Sequence, residues 1–542
     1  MLAGLDTVGT LVRMSLPGPA RRLATSLTLA LLATTLAAVP LATTPAATSN
    51  TSGAGVQVTD GCLRSVPERG KQQAVRICFT LFRPAGASRR EPVPLMVHSH
   101  GWGGSRTTEA SGFGRWLDAG YGVLSFDQRG FGESGGYAHV ERPQFEGRDN
   151  MRLIRMVAQL PWVQQDAPGD PRMGAMGGSY GGGYQFLAAF MAIQRRGVPV
   201  YDALAPQITW HDLSESLGPQ GVPRERWAQL LGVGAQSTDA LEPKFREALV
   251  EGTVTGDWPD GSGPSGVDMY RYFKKNGPSW HVAQGRRLGI PVLLGQGTTD
   301  TLFNLRQGFD NWQQALTRRA RERSIFVGYN GGHVLPGAGA TSLPPTPHPQ
   351  GDPCSAELAG GDFTALTIRF MDEQLRGRDT GLGGFGAYHL ATLGNTCTTV
   401  SSVEPTAAYD VGTVSTPETL PAWRAFPVAE GPVRVAGSPR LTAAVTTTGP
   451  LTHRAFYGLA VGTTPLDAKL VQGNVYPLDV EGEVTGLQRQ VELPAVAVDV
   501  PEGQTLYLVA SDASDAFGGT RARTPGVVVL DGTVAHLPVV AP

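Results

Sequence analysis

The feature that most constrains this chain is the pentapeptide Gly177-Gly178-Ser179-Tyr180-Gly181. A strand-like run, Arg172-Met173-Gly174-Ala175-Met176, precedes it, and a helix-like run, Tyr184-Gln185-Phe186-Leu187-Ala188-Ala189-Phe190, follows it. G-x-S-x-G between a strand and a helix reads as a nucleophile elbow. Such a turn forces its serine into strained backbone geometry, which only small neighbours permit. It also aims a helix N-terminus at the serine, so backbone N–H groups face any negative charge that develops there. In a chain with 71 glycines the bare motif also arises by chance as a Gly-rich turn, so its flanks carry the weight.

A strand–elbow–helix unit belongs in a parallel sheet, and residues 56 to 395 supply one. Val56–Thr59, Ala74–Phe82, Pro94–Ser99, Tyr121–Phe126, Ala203–Ile208, Pro291–Gly295 and Ser324–Gly328 read as strands. Glu146–Leu160 has helical spacing, with Met151, Ile154, Val157 and Ala158 on one face. Asp362 reads as the cap of a helix carrying Leu366, Ile368, Phe370 and Met371. This alternation places the chain in the α/β class, with a mostly parallel sheet covered on both faces. From Trp210 to Val282 the alternation breaks into Pro- and Gly-punctuated helical pieces at Arg224–Leu231, Ala240–Val250 and Val267–Lys275. That stretch reads as a cap over the elbow, or as an extra surface layer of helices. After Ser401 helical signals vanish and short alternating runs take over: Leu441–Thr447, Ala455–Val461, Val491–Val500, Thr505–Ala510 and Gly526–Leu530. They predict an all-β sandwich. The expected segments are a leader (1–47), an α/β core in two parts (55–209 and 284–398), a helical insertion between them (210–283) and a β-sandwich (401–542).

A net charge of −2, with no polybasic patch, argues against a nucleic-acid partner. Charged residues make up 17% of the chain, below the roughly 25% of an average soluble domain, which suits a loop-rich exported protein. Arg13, Arg21 and Arg22 precede an apolar run from Leu23 to about Ala42, and no charge occurs between Arg22 and Asp60. This predicts a cleaved signal peptide and a secreted, extracellular product, with an uncleaved anchor as the alternative. No later segment approaches the ~20 apolar residues that span a bilayer, so no stable membrane insertion is expected after leader removal. Four cysteines in an exported chain favour two disulfides, with three possible pairings. The sequence-local pairing, Cys62–Cys78 and Cys354–Cys397, is preferred, each bridge contributing ~3–4 kcal/mol. The second would tie down the Pro-rich loop around Ser342–Pro353. A metal site is disfavoured because no CxxC or paired Cys/His spacing is present, and no cofactor is expected. The oligomeric state is not legible.

Acyl transfer by a serine needs a base to take its proton and a carboxylate to hold that base in one tautomer. On a parallel sheet these groups come from loops at the strands' C-terminal ends, in the chain order Ser, Asp, His. Asp300 follows the strand Pro291–Gly295 in Gln296-Gly297-Thr298-Thr299-Asp300, with Asp310 as the fallback. His333 follows the strand Ser324–Gly328 in Asn330-Gly331-Gly332-His333, alone among ten histidines in combining strand, turn and order. The expected catalytic set is therefore Ser179, Asp300 and His333. The backbone N–H of Tyr180 and that of Trp102, in the turn His98–Gly104, are the expected oxyanion donors, each worth ~3–4 kcal/mol in the transition state. His98-x-His100 also has a metal reading, but no third ligand lies nearby in sequence. Asp127–Ser134, a loop of the form Asp-x-Arg-Gly-x-Gly, is expected to be structural, fixed by local hydrogen bonds.

With these residues in view, the chain resembles the X-Pro dipeptidyl-peptidase / cocaine esterase-like family of α/β-hydrolases. Gly177–Gly182, Gly297-Thr298-Thr299-Asp300-Thr301-Leu302-Phe303 and Gly331-Gly332-His333 carry the resemblance. It implies a helical cap between the sixth strand and the acid, and a C-terminal jelly-roll-like β-domain. Together with the predicted leader, it further implies a secreted serine hydrolase that cleaves a small ester or X-Pro-type peptide through a Ser-His-Asp acyl-enzyme. The family often takes a tyrosine hydroxyl into its oxyanion hole from the turn after the third strand; here that turn reads His100-Gly101-Trp102. Of acidic residues that would grip a peptide's α-amine, only Glu215 and Glu242 offer themselves. The alternative is a non-catalytic binding or adhesion protein on the same scaffold.

Overall fold

Ten strands of alternating or wholly apolar sequence pair into one mixed sheet, seen here in a computed structural model that describes residues 55–236, 239–333, 349–416, 423–448, 453–517 and 527–541. The expected leader (1–47) and residues 342–348 of the Pro-rich loop lie outside the described residues. The strands are β1 (Gln57–Pro67), β2 (Ala74–Arg83), β3 (Leu95–Ser99), β4 (Gly122–Phe126), β5 (Met173–Gly178), β6 (Ala203–Gln207), β7 (Leu293–Gly297), β8 (Ile325–Tyr329), β9 (Tyr388–Ala391) and β10 (Cys397–Val400). Their spatial order is β1-β2-β4-β3-β5-β6-β7-β8-β9-β10. Pairing is parallel from β4 to β9 and antiparallel at both edges. Central strands of a parallel sheet are buried on both faces, and β4 and β7 accordingly have no exposed residue.

Alternate residues of these strands feed two separate cores, as a period of two requires. Val97, Leu124, Ala175, Leu204 and Leu294 meet α1 (Glu146–Val157) and α2 (Tyr180–Arg196) on one face. Met96, Val123, Met176, Ala205 and Leu293 meet Leu366, Phe370 and Met371 on the other. Asp362 caps that last helix, its carboxylate accepting the N–H of Ala365 at 2.8 Å. Both disulfides form with the expected pairing. Cys62 and Cys78 are directly opposed in the β1–β2 ladder, and Cys354–Cys397 joins a short helix (Pro353–Ala359) to β10.

Between β6 and β7 the chain forms the cap. Its main helices are α3 (Glu225–Gln236) and α4 (Pro243–Thr255), with shorter ones at Leu213–Leu217, Met269–Lys274 and Pro278–Ala283. Their apolar faces form a core of their own with Tyr180, Leu302 and Phe303, so the cap is seated on the elbow and on the loop after β7. Beyond β10 the chain is built of antiparallel sheets. The apolar run Val491–Val500 proves to be two strands in different sheets, Val484–Glu492 and Val496–Val500, because Pro494 cannot continue a ladder. Ion pairs bind this region to the rest, such as Arg306 to Glu492 at 3.0 Å, while Arg454 donates to the Gly256 carbonyl at 2.9 Å.

The loop after β4 is structural, as expected. The buried Asp127 accepts from the N–H groups of Arg106 (2.6 Å) and Glu133 (2.9 Å) and pairs with the Arg106 guanidinium. Arg129 is buried and reaches Glu68 and Asp149, at 2.9 and 2.8 Å. Glu68 also accepts the Tyr137 N–H at 2.9 Å and faces His139 Nε2 at 2.6 Å. Burial pushes the Glu68 carboxyl up, but the bonds from His139, the Tyr137 N–H and Arg129 outweigh it and hold it at about 2, against an ordinary 4.5. A carboxyl depressed in the folded state stabilises above its unfolded value, and that contribution fades as pH falls towards the folded one. Glu68→Gln is therefore expected to lower the melting temperature at pH 7, with the gap to wild type closing between about pH 4.5 and 2. Melting curves across that range check it; a gap independent of pH would contradict it.

Candidate active site

Ser179 sits at the junction of β5 and α2 with φ 58° and ψ −120°, left-handed geometry that costs ~1–3 kcal/mol for a residue with a Cβ. The surroundings hold it there. Its N–H donates to the Gln207 carbonyl at 2.9 Å. Gln185 Nε2 donates to the carbonyls of Gly177 (3.1 Å) and Gly181 (2.9 Å), and the Tyr184 hydroxyl to those of Val97 (2.7 Å) and Met176 (3.1 Å). The glycines are required by close approach: a Cβ on Gly181 would lie 2.3 Å from the Ser99 carbonyl oxygen, and one on Gly177 would lie 2.7 Å from it. The helix begins at Tyr180, earlier than the apolar pattern predicts, because three consecutive glycines (181–183) mask its first turn.

Asp300 lies in the loop after β7 and is fully buried. One carboxylate oxygen accepts the N–H groups of Leu302 and Phe303, both at 2.9 Å. The other faces His333 Nδ1 at 2.7 Å. Nδ1–H pointing at a carboxylate leaves Nε2 as the imidazole's acceptor. The two loops are laced together, Thr299 Oγ1 donating to the Gly331 carbonyl at 2.8 Å and accepting the Gly331 N–H at 3.1 Å. Phe303 and Trp227 pack edge-on against the imidazole, at centroid distances of 5.3 and 6.0 Å. Phe303 and Ser179 line the same pocket.

The turn after β3 lies over the elbow. A Cβ on Gly101 would come within 3.8 Å of the Ser179 Cβ. The Trp102 indole donates to the Leu231 carbonyl of the cap at 2.8 Å and packs edge-on against Tyr180 at 5.0 Å. His98 and His100 are both committed within the core. His98 Nδ1 bonds Ser125 Oγ at 3.0 Å, and burial pulls its imidazole down to about 4. His100 Nδ1 donates to its neighbour's carbonyl, and its Nε2 accepts the Gln128 N–H at 3.1 Å. Asp310 is occupied by Arg306 and Gln314, at 3.2 and 2.9 Å. Glu215 accepts the Tyr476 hydroxyl at 3.2 Å, and burial raises its carboxyl. Glu242 precedes the first turn of α4. Neither glutamate lines the pocket at Ser179.

Three residues that nothing in the sequence marks bear on the loop that carries Asp300, called the acid loop below. Arg224, 1% exposed, donates to the Thr301 carbonyl at 2.9 Å and lies 4.8 Å over the Phe517 ring; burial pulls its guanidinium down to about 10. The Trp227 indole donates to Thr301 Oγ1 at 3.0 Å. Asn474, from the C-terminal region, donates to the Asp300 carbonyl at 3.3 Å.

Gly181→Ala is expected to destabilise the protein by ~1–3 kcal/mol through overpacking against Ser99. Gly114→Ala, where a Cβ meets nothing within 4 Å, is expected to change stability by less than ~0.5 kcal/mol. Thermal melts of the pair check this, and equal melting temperatures would contradict it.

Comparison with known proteins agrees with this architecture. A CocE/NonD family hydrolase from Staphylococcus aureus is similar in structure, with TM-score 0.60 and 13% identity over 90% of this chain and 97% of that one. An aminopeptidase from a marine sediment Thaumarchaeota archaeon has TM-score 0.56 and 12% identity, covering 89% of this chain and 97% of that one. An α-amino acid ester hydrolase has TM-score 0.53 and 12% identity over the same shares. At such identities the likeness speaks for the fold alone, which is that of an α/β-hydrolase with a cap and a C-terminal β-domain. In sequence, an Escherichia coli protein described as an uncharacterized 31.7 kDa protein in the traX-finO intergenic region is 34% identical over 98 residues. That match covers 18% of this chain and spans about a third (32%) of the relative's length. Residues 73–334, a span running from β2 through Ser179, Asp300 and His333, match the model of a serine hydrolase family, the X-Pro dipeptidyl-peptidase (S15) family.

Proposed function

We propose that the chain is an exported serine hydrolase that cleaves an ester or X-Pro-type peptide bond through an acyl-enzyme, with Ser179, His333 and Asp300 as its triad. The observation that carries this reading is the 2.7 Å contact from His333 Nδ1 to a fully buried Asp300 carboxylate, with the strained Ser179 and the His333-packing Phe303 on one pocket. Ser179 Oγ attacks the acyl carbon as its proton passes to His333 Nε2. Asp300 holds the imidazole in the tautomer that leaves Nε2 free and stabilises the imidazolium that forms. The N–H of Tyr180, at the start of α2, and that of Trp102 would take the oxyanion. His333 then returns the proton to the leaving alcohol or amine, and a water repeats the sequence on the acyl-enzyme. Export is supported by the basic-then-apolar N-terminal sequence and by two disulfides, which persist in oxidising compartments.

A fluorophosphonate probe is expected to label the purified protein stoichiometrically and to leave Ser179→Ala unlabelled. That substitution is expected to lower kcat by at least about 1,000-fold. Labelling that survives in Ser179→Ala would refute the assignment, and a folded wild type that never labels would favour a binding protein.

A further inference from the structure

We infer that the pocket beside Ser179 takes a short, uncharged acyl group, from acetyl to butyryl, and rejects α-amino acyl groups, so that esters and not X-Pro peptides are the substrates. This rests on the reading of Ser179 as the nucleophile and adds the substrate class.

The chemistry of the lining comes first. Trp102, Trp210, Phe245, Leu249, Trp258 and Phe303 dominate it, and among the described residues none of its members is charged. An ammonium group entering such a pocket loses its hydration and gains no partner, a penalty a neutral acyl chain does not meet. The carboxylates nearby do not line it. Glu141 lines a separate cavity of ≈ 10 Å³, together with Trp210 and Asn276. Its carboxyl is 2% exposed, and burial, with Glu146 and Asp149 nearby, pushes it well up. Glu215 belongs to Tyr476.

Size narrows the class further. The cavity measures ≈ 60 Å³. An apolar cavity that accepts benzene is about 150 Å³, so an aromatic ring or a long chain fits here only by displacing a wall or by projecting through the open side. The wall is seated firmly. Trp258 donates to the Leu217 carbonyl at 3.3 Å and its ring lies where a Cβ on Gly218 would be, 2.2 Å from Nε1. The same ring covers Gly252, whose Cβ would meet it at 3.1 Å. In turnover the Ser179 Oγ–acyl bond forms as the ester C–O bond breaks. The leaving alkoxide takes its proton from His333, and water then releases the short acid.

The test measures kcat/KM of the purified protein, after fluorophosphonate active-site titration, on p-nitrophenyl acetate, butyrate, octanoate and benzoate and on Gly-Pro-p-nitroanilide. Acetate or butyrate is expected to be best, with octanoate and benzoate at least about 10-fold lower, since even one methylene in a tight apolar pocket is worth about that factor. The anilide is expected to be slowest. Leu249→Ala, on a half-buried position, and Trp258→Ala are each expected to raise the octanoate-to-acetate ratio by about 10-fold. If Trp258→Ala fails to fold, Leu249→Ala still gives the ratio. A wild type that prefers octanoate, benzoate or Gly-Pro-p-nitroanilide overturns this inference alone. A wild type that does not label with the probe overturns the nucleophile and this inference with it.

Discussion

The site depends on the commitment of one buried carboxylate. Asp300 has no water to turn to, and both of its oxygens are spoken for: one by two backbone N–H groups of its own loop, the other by His333. A carboxylate so held cannot rotate away, and it fixes the ring whose nitrogen it faces. In the proposed reaction, geometry of this kind is in place before substrate arrives, because a group that reorganises during reaction gives up much of its electrostatic advantage.

Three parts of the fold converge on that loop. The elbow supplies the strained serine, braced by glutamine and tyrosine side chains from the following helix. The cap supplies Arg224 and Trp227, both bonded to Thr301, and the Trp227 ring that packs on His333. The C-terminal β-domain supplies Asn474 on the Asp300 carbonyl and Phe517 beneath Arg224. The β-domain is thus physically continuous with the acid loop. The cap's apolar faces, meanwhile, give the pocket at Ser179 its uncharged lining.

Much of this was legible in the sequence because the signals were local. The elbow, the turns after strands that carry Asp300 and His333, the cap residue Asp362 and the Asp127 loop are each legible within a few residues. The sequence-local disulfide pairing also holds, since Cys62 and Cys78 face each other in a hairpin. What stayed hidden depends on distance or on backbone strain. The first turn of α2 was masked by Gly181–Gly183, whose low helix propensity is overridden by the elbow. The left-handed pair Val140-Glu141, φ 57° and 60°, is held by Glu146 accepting the N–H groups of His139 and Arg142, a contact no pattern foretells. Arg224 and Asn474 reach the acid loop from 77 and 174 residues away in the chain. The apolar run ending at Val500 looked continuous, yet Pro494 divides it.

The most direct test of the central claim is a crystal structure of the protein soaked with a small alkylboronic acid. The account requires a tetrahedral boron bonded to Ser179 Oγ, with His333 Nε2 within about 2.6–3.2 Å of that oxygen or of a boron hydroxyl. It also requires His333 Nδ1 still on Asp300 and a boronate oxygen facing the N–H groups of Tyr180 and Trp102. Boron bonded to another residue, or an imidazole turned away from Ser179 in the occupied site, would contradict it.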